Sequence, residues 1–338
     1  MPKITYSEAI CRTLGDMLRR DNRVLLLGED IGPYDGVFKA TKGLFHEFGP
    51  DRVIDTPISE AGFVGLAVGA ALMGLRPIVE IMFIDFALLI FDQLCNQAAK
   101  LRYMSGGQLT VPLVVRTNIG TRGGAAAQHS QSLHGMFTSF PGLKVVIPST
   151  PHDARGLLFA SLDDPNPVLF VENKQLYFVP GEVPEEEYRI PLGLADVRRE
   201  GTDLTIIATS FMVLQALKAA QMLEARDVSV EILDPRTLVP LDKDAILTSV
   251  AKTSRVLIVD EGVRTGGVAQ QLASLIAEEC FWDLDAPVTI LAAPDIPIPY
   301  SPPLEHVTQI RPEDIYYRAL QVLELKRVPP PLLVTAQG

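Results

Sequence analysis

The chain has 338 residues, of which 47% are hydrophobic, and its 30 basic and 41 acidic side chains give a net charge of −11. At roughly 150 residues per domain, this length indicates about two domains. The negative charge argues against nucleic acid or an anionic membrane surface as the main partner, because both carry negative charge themselves. The three cysteines, Cys11, Cys95 and Cys280, form neither a metal motif nor a disulfide framework, which indicates a reducing compartment.

The sequence has no segment typical of targeting or membrane insertion. Its first residues, Met1–Glu8, show neither an apolar signal core nor the Arg- and Ser-rich character of a transit peptide. The longest strongly apolar stretch without charge, Ala61–Leu75, is too short to span a bilayer. We therefore expect a cytoplasmic protein with neither a membrane nor nucleic acid as its partner.

In chain order, the first half alternates between strands and helices. Thr5 and Glu8 have capping-box spacing and predict a helix that begins after Thr5. Short apolar runs without polar alternation are typical of strands buried on both faces, and they occur at Val24–Leu27, Pro77–Met82, Val111–Val115, Leu143–Ile147 and Val168–Val171. Helical stretches lie between most of them, at Glu60–Met73, Asp85–Tyr103 and His152–Leu162. This alternation predicts a doubly wound parallel α/β domain.

The alternation of strands and helices stops between Asn173 and Glu200, where prolines and the acidic run Glu185–Glu187 are typical of a linker on the surface. A second alternation of strands and helices follows, with strands predicted at Leu204–Ala208, Val228–Leu233, Val256–Asp260 and Val288–Leu291. Its helices are predicted at Met212–Ala225, Lys243–Ala251, Val268–Cys280 and, in a proline-rich tail that starts at Pro294, near Ile315–Leu325. We predict one domain at residues 1–185, a linker at 186–200 and a second domain at 201–338.

Common phosphate and nucleophile motifs are missing from the sequence. There is no Walker-type loop, and the first strand is followed by Gly28-Glu29-Asp30, which would present acids rather than amides to a phosphate. There is no G-x-S-x-G nucleophile elbow. His129 and His134 are five residues apart, which is not the spacing of an H-E-x-x-H zinc site. Ligands of α/β folds bind beyond the carboxyl ends of the strands, so the segments that follow the strands are the candidates.

Three segments lie at or just after strand ends: Asp55–Glu60, Met82–Phe86 and Gly123–Ser132. Each has an ordinary interpretation. Glu60 is compatible with a first-turn glutamate below a Ser59 cap, favoured by the helix dipole. Met82 and Phe86 are compatible with the core, His129 with a loop histidine, and Gly123-Gly124 with a turn. Only their combination points to a functional site.

Together these segments carry a family resemblance. The matching runs are Asp55-Thr-Pro-Ile-Ser-Glu60, Met82-Phe-Ile-Asp-Phe86, Tyr103-Met-Ser-Gly-Gly107, Ala127-Gln-His-Ser-Gln131, Pro141-Gly-Leu-Lys-Val-Val146, Pro191-Leu-Gly193 and Asp234-Pro-Arg-Thr-Leu-Val-Pro-Leu-Asp242. Over essentially its whole length the chain resembles the beta subunit of the thiamine diphosphate-dependent decarboxylase component of 2-oxo acid dehydrogenase complexes. The resemblance implies a thiamine-pyrimidine-binding domain followed by a transketolase C-terminal-like domain.

The resemblance also implies roles for individual residues. Thiamine diphosphate is activated when a carboxyl group hydrogen-bonds the 1′ nitrogen of its pyrimidine, and that carboxyl must be buried to hold a proton near neutral pH. By similarity this carboxyl is Glu60. Ile58, Met82 and Phe86 would line the pyrimidine slot, with the Phe86 ring packed on the cofactor ring. His129 would transfer a proton while the acyl group of a pyruvate-type or branched-chain 2-oxo acid passes to a lipoyl dithiolane.

Members of this family also hold a potassium ion, largely with main-chain oxygens. The turn Asp164-Pro165-Asn166-Pro167 supplies the hard oxygen ligands that such an ion needs. The matching positions are Leu113, Ser161, Leu162, Asp164 and Asn166. A plain Asx turn without an ion remains the alternative.

The magnesium site for the diphosphate is missing from this chain. In this superfamily it is a Gly-Asp-Gly run followed further on by Asn, and the sequence contains no Gly-Asp-Gly. We therefore expect the chain to bind only the pyrimidine end, while an alpha subunit supplies the Mg²⁺ ligands in an alpha2beta2 heterotetramer. The G-x-x-x-G spacing of Gly65 and Gly69 fits a close helix contact, either between subunits or within the domain. A lipoyl-bearing acyltransferase is the other implied partner.

Two positions depart from the family pattern close to the His129 loop. Ser139 stands where a histidine is usual, and His134 stands where Glu, Tyr or Ala is common. They leave the acyl acceptor and the identity of the 2-oxo acid open. An acetoin-cleaving or split transketolase-like half is the alternative enzyme, because it would share Glu60. A binding module without catalysis is the other alternative, and the presence of both Glu60 and His129 argues against it.

Overall fold

The computed structural model describes residues 1–323, and the chain divides into two compact units. The first unit comprises Met1–Arg122, Gln128–Leu194 and Arg236–Leu241, and the other described segments, 123–127, 195–235 and 242–323, form the second. The predicted end of the last helix, Leu325, and the prolines of the tail beyond it lie outside the described residues. Within residues 1–323, no helix is long and apolar enough to cross a membrane.

The strands are short and mostly buried. They are β1 (Lys3–Thr5), β2 (Val24–Gly28), β3 (Val53–Asp55), β4 (Arg76–Glu80), β5 (Val114–Ile119), β6 (Lys144–Val146), β7 (Val168–Asn173), β8 (Pro180–Glu182), β9 (Asp196–Arg199), β10 (Leu204–Ala208), β11 (Val230–Asp234), β12 (Thr237–Val239), β13 (Val256–Val263) and β14 (Thr289–Ala293). Every residue of β5, β7, β10 and β11 is buried, as expected for strands covered on both faces.

The α-helices lie between the strands. They are α1 (Tyr6–Arg20), α2 (Leu44–Phe48), α3 (Glu60–Leu72), α4 (Ala99–Met104), α5 (His134–Phe137), α6 (Pro151–Asp163), α7 (Phe211–Glu224), α8 (Lys243–Thr253), α9 (Val268–Glu279), α10 (Pro302–Thr308) and α11 (Pro312–Val322). The capping box predicted before α1 is present: the Thr5 side chain accepts from the backbone nitrogen of Glu8, and the Glu8 carboxylate accepts from that of Thr5.

The first unit is built on a seven-stranded sheet in the order β12-β6-β7-β5-β4-β2-β3. All neighbours are parallel except β12, which is antiparallel to β6. The second unit has the order β14-β13-β10-β11-β9, with only β9 antiparallel. Helices α7 and α11 cover its core. Both sheets confirm the predicted doubly wound α/β class.

Several predicted bounds differ from the structure for identifiable reasons. The strand predicted at Val111–Val115 runs over Val114–Ile119, because Pro112 has no N–H for the sheet ladder. The helix predicted at Asp85–Tyr103 is divided into a 3₁₀ segment (Ile84–Ile90), a π segment (Asp92–Ala98) and α4. Strand β9 falls inside the predicted linker, and β12 returns to the first sheet from a stretch predicted to lie wholly in the second domain.

The topology of the first sheet determines which segments can meet. Strands β5, β4, β2 and β3 are successive parallel neighbours, so their carboxyl ends share one edge. The predicted segments Asp55–Glu60, Met82–Phe86 and Gly123–Ser132 follow β3, β4 and β5, respectively. They therefore leave the sheet at the edge where α/β proteins bind their ligands.

Candidate active site

Glu60 is the first residue of α3 and is 6% exposed. Ser59, at the N-cap position, makes no side-chain capping bond, so the interpretation of Glu60 as the partner of a Ser59 cap has no structural support. Within residues 1–323, no group donates a hydrogen bond to the Glu60 carboxylate. Its oxygens are not among the fully buried atoms without a partner, so they face accessible space and are free to bind a ligand.

A second acid, Glu29, lies close to Glu60 and was not among the predicted site residues. Glu29 directly follows β2, and its Oε1 atom is buried without a hydrogen-bond partner. Burial first, and then the charges of Glu60 and Asp30, raise the pKa of Glu29 to about 7. The sequence signal for Glu29 is an acid placed directly after a buried strand, and the same run, Gly28-Glu29-Asp30, excludes a phosphate loop.

This shifted pKa predicts a pH dependence of stability. The ordinary value is 4.5 and the folded value is about 7, so between these pH values the folded state holds a proton that the unfolded chain has lost. The free energy of unfolding therefore falls as the pH rises through this window. We expect Glu29→Gln to remove the slope, so that its Tm increases relative to that of the native chain between pH 4.5 and 7.

Calorimetry of both proteins at closely spaced pH values measures this difference. The matched control is Glu278→Gln, which changes an exposed acid on α9 and should follow the native curve. Parallel Tm curves for the Glu29 variant and the native chain would mean that Glu29 titrates near its ordinary value.

The segment after β4 is fixed by side chains from other strands and loops. The amide nitrogen of Asn118 donates to the carbonyl of Met82 at 2.6 Å. Asp85 is 7% exposed and accepts from the side-chain amide of Gln131 at 2.8 Å, which ties this segment to the His129 loop. Met82 and Phe86 are partly buried, which leaves part of each side chain accessible.

The His129 imidazole packs edge-on against two phenylalanine rings. Its ring centroid lies 5.3 Å from that of Phe86 and 5.2 Å from that of Phe83. The structure thus brings His129 and Phe86 together as predicted, while Phe83 was not predicted. Ile58, by contrast, is 85% exposed and lies on the surface of the first unit.

Several buried polar atoms around these segments have no hydrogen-bond partner. They lie in the last residues of β5 or in the segments that follow the strands at this sheet edge, and they are Glu29 Oε1, Thr56 Oγ1, Asp85 Oδ2, Asn118 Oδ1 and Ser130 Oγ. Buried polar atoms in folded proteins are nearly always paired, with protein, water or ligand. These atoms therefore retain hydrogen-bonding capacity for a bound molecule at this sheet edge.

The turn after α6 holds the residues predicted for potassium. Asp164 Oδ1 accepts from the backbone nitrogen of Asn166 at 2.9 Å and from its amide nitrogen at 3.0 Å, and Oδ2 binds the Lys144 ammonium. This is the Asx turn that we considered as the alternative. The carboxylate of Asp164 is therefore already engaged within the chain.

The main-chain oxygens predicted to bind potassium each accept one hydrogen bond within the chain. The Leu162 carbonyl accepts from the Arg76 guanidinium, that of Ser161 from the Asp164 nitrogen at 3.4 Å, and that of Leu113 from the Val168 nitrogen at 2.9 Å. A carbonyl oxygen has two lone pairs, so each retains capacity for a cation. Within residues 1–323, no group of three or more His, Cys, Asp or Glu side chains could hold a metal ion.

A cleft of about 380 Å³ lies elsewhere on the first unit, along α1. It is bordered by Cys11, Arg12, Lys42 and Arg155, among others, and by none of the predicted site residues. The cleft is therefore separate from the segments that carry the predicted site residues.

Fold and site together define a chain of the transketolase class. The family described as "Transketolase, pyrimidine binding domain" matches residues 2–180, and "Transketolase, C-terminal domain" matches residues 193–315. A split-gene transketolase, described as an inactive beta4 tetramer, superposes with a TM-score of 0.78 at 23% identity, over 96% of this chain and 99% of that one. A mutant transketolase of Pichia stipitis superposes with a TM-score of 0.71 at 12% identity, and this chain covers 46% of it.

More similar relatives define the family. The beta subunit of the acetoin:2,6-dichlorophenolindophenol oxidoreductase of Bacillus subtilis is 49% identical over 95% of this chain and 97% of that protein. From the same organism, the 2-oxoisovalerate dehydrogenase beta subunit is 45% identical (93% and 97% covered), and the pyruvate dehydrogenase E1 beta subunit is 45% identical (96% and 100% covered). The chain belongs to this family of thiamine diphosphate-dependent dehydrogenase E1 beta subunits, which work with an alpha subunit. This confirms the resemblance found in the sequence.

Proposed function

We propose that this chain binds the pyrimidine end of thiamine diphosphate and, with an alpha subunit, decarboxylates a 2-oxo acid and passes the acyl group to a lipoyl carrier. The observation that carries the proposal is Glu60, a carboxyl that is 6% exposed and receives no hydrogen bond within the described residues. The neighbouring acid Glu29 supports it, because burial and the nearby charges raise the pKa of Glu29 to about 7, so that a proton is held close to Glu60.

The residues present fit this cofactor, because the buried polar atoms without a partner can form hydrogen bonds with a polar ligand. When bound, thiamine diphosphate supplies the electron sink for loss of carbon dioxide. Glu60 would hold or share a proton with the pyrimidine 1′ nitrogen. Ile58, Met82 and Phe86 would line its ring.

His129 would act in the second half of the reaction. Its imidazole is partly buried against the rings of Phe83 and Phe86, so its position is well defined. An imidazole can give and take a proton near neutral pH. In our proposal it transfers the proton that accompanies acyl transfer to the lipoyl dithiolane of a lipoyl-bearing acyltransferase.

The exposed face of α3 supports a subunit contact rather than internal packing of the glycines. Gly62, Gly65 and Gly69 are all exposed. Apart from the adjoining residues and backbone of α3 itself, no described atom lies within 4 Å of a Cβ placed on Gly69, and a Cβ on Gly65 would meet only the Gln93 side chain at 3.7 Å. Nothing within residues 1–323 therefore requires glycine at these two positions. We assign this face to contact with another subunit of an alpha2beta2 heterotetramer.

A cofactor site shared between the beta and alpha subunits predicts how thiamine diphosphate binds. We expect the isolated chain to bind thiamine diphosphate with Mg²⁺ weakly or not at all, because the Mg²⁺ ligands belong to the alpha subunit. Co-expression with the neighbouring reading frame should restore binding. Isothermal titration of both preparations measures the difference, with the alpha subunit alone as the control. Tight Mg²⁺-dependent binding by the lone beta chain would refute the shared site.

The substrate is tested with the same assembled complex. Carbon dioxide release from pyruvate and from 2-oxoisovalerate tests the main proposal. Acetoin cleavage is the second candidate, favoured by the 49% identity to the acetoin-type beta subunit. An assembled complex that turns over acetoin but neither 2-oxo acid would replace the main proposal.

We further propose that the carbonyls of Leu113, Ser161 and Leu162, together with Asp164 and Asn166, bind potassium. The expected result is a Tm that is higher in potassium chloride than in choline chloride of equal ionic strength, because an ion bound only by the folded chain stabilises it. Calorimetry measures the shift, and sodium chloride serves as the control for size selectivity. Equal Tm values in all three salts would refute potassium binding and would identify this segment as an Asx turn without an ion.

A further inference from the structure

Lys174 is a buried lysine directly after β7, and the function proposed above does not use it. Its side chain is 1% exposed. Its backbone is held on both sides, because its nitrogen donates to the Ile119 carbonyl at 3.1 Å and its carbonyl accepts from the Arg122 guanidinium at 3.1 Å. A charged side chain is almost never buried this deeply without specific partners, so its contacts are informative.

The Lys174 ammonium joins the two ends of the loop that carries His129. It donates to the carbonyl of Gly120, the first residue after β5, at 3.0 Å, and to the carbonyl of His129. Between these ends the backbone is irregular, with positive φ angles at Gly123, Gly124 and Ala126. A loop without ladder hydrogen bonds depends on such contacts for a defined conformation.

The same ammonium also lies against the ring on which His129 rests. Its nitrogen is 4.6 Å from the centroid of the Phe83 ring, which is within the range of a cation–π contact. The Phe83 ring contacts the His129 imidazole at 5.2 Å and the Phe86 ring at 5.7 Å. One buried charge therefore constrains the backbone of His129 and the surface that orients its side chain.

We infer that Lys174 is a positioning residue that sets the place of the His129 imidazole for acyl transfer. The inference rests on the proposed role of His129. A small displacement of a proton-transferring group lowers a rate steeply, because the group must lie within hydrogen-bond reach of the atom it serves. Decarboxylation, which depends on Glu60, should be affected much less.

The test uses the assembled alpha–beta complex carrying Lys174→Met, which keeps the length of the side chain but removes its charge and its donors. Two rates are compared: 2-oxo acid oxidation with 2,6-dichlorophenolindophenol as acceptor, and acyl transfer to a lipoyl domain. We expect acyl transfer to fall by a factor of about 10 to 100, as for other misplaced catalytic groups, while the dye-coupled rate stays within about threefold. His129→Ala should lower acyl transfer at least as much, and Lys218→Met, at an exposed lysine of α7, should change neither rate.

A second readout does not depend on activity. Hydrogen exchange followed by mass spectrometry should show faster exchange of residues 120–129 in Lys174→Met than in the native complex, with exchange in α7 unchanged. An equal loss of both rates, or unchanged exchange in this loop, would overturn the inference. If Lys174→Met does not assemble, Phe83→Leu removes the ring contact alone and should also lower acyl transfer selectively; an unchanged ratio of the two rates would overturn the inference there.

Failure of the proposed function is distinguishable from failure of this inference. A native complex that releases no carbon dioxide from any tested 2-oxo acid refutes the proposed function, and the exchange experiment then still decides whether Lys174 holds the loop. An active native complex with unchanged loop exchange in Lys174→Met refutes the role of the lysine alone.

Discussion

Replacing Glu60 with glutamine should lower turnover of the assembled complex by about 10² to 10⁴, the usual contribution of a positioned proton-transferring group. Glutamine has nearly the same shape but cannot hold an acidic proton for the pyrimidine nitrogen. Since Glu60 receives no hydrogen bond within the described residues, the substitution breaks no internal hydrogen bond. Steady-state assays with a 2-oxo acid measure the effect, and calorimetry should show a folded protein.

The control for this experiment is Glu47→Gln. Glu47 is an exposed acid of the same unit, bound to Arg19 at 2.7 Å, and its loss should leave turnover unchanged. Full activity of the Glu60 variant would remove the carboxyl from the mechanism and with it the main support for the proposed function.

Replacing Arg116 with methionine should have the largest effect on stability, about 3–5 kcal/mol, the usual result of removing one partner of a buried ion pair. Arg116 is 2% exposed in the middle of the first sheet. Its guanidinium bonds Glu172 at 2.6 and 3.1 Å and Glu80 at 2.8 Å, and Tyr177 donates to Glu172 at 2.7 Å. Burial opposes the charge of Arg116, but Glu172 and Glu80 outweigh it and keep its pKa above the ordinary value.

Urea unfolding measures this loss. The control is Arg255→Met, which removes a pair between the half-buried Arg255 and the exposed Asp285 and should cost about 1 kcal/mol or less. Adding Glu172→Gln to the Arg116 variant should recover part of the loss, because the buried carboxylate then no longer lacks its cation. Equal midpoints for the Arg116 and Arg255 variants would show that the buried network contributes no more than a surface pair.

Much of the secondary structure could be predicted from local signals. The Thr5–Glu8 capping box marks the start of α1, and unbroken apolar runs mark β2, β10 and β13. Strand β3 was missed because three residues give too short a pattern to distinguish from a loop. Strand β12 was missed because its place is decided by pairing with β6, which is remote in sequence.

For the candidate site, the sequence indicated residues but not their environments. Glu60, His129 and Phe86 were identified by family motifs, and the structure brings His129 and Phe86 into ring contact. Glu29, Phe83 and Lys174 were missed, because their importance lies in burial and in partners far away along the chain. Roles of the predicted residues stay predictions until the variants above are measured.

By itself, the sequence determined the fold class and the family, and it predicted that the Mg²⁺ half of the cofactor site lies in another subunit, because periodicity, turn residues and motifs are local and can be read along the chain. Only the tertiary structure decided that Glu29 shares the surroundings of Glu60, that a buried ammonium closes the His129 loop, and that the glycine face of α3 is exposed. The reason is physical: desolvation, charge–charge distance and exposure depend on which strands become neighbours, and parallel strands joined by helices bring together residues that are far apart in sequence.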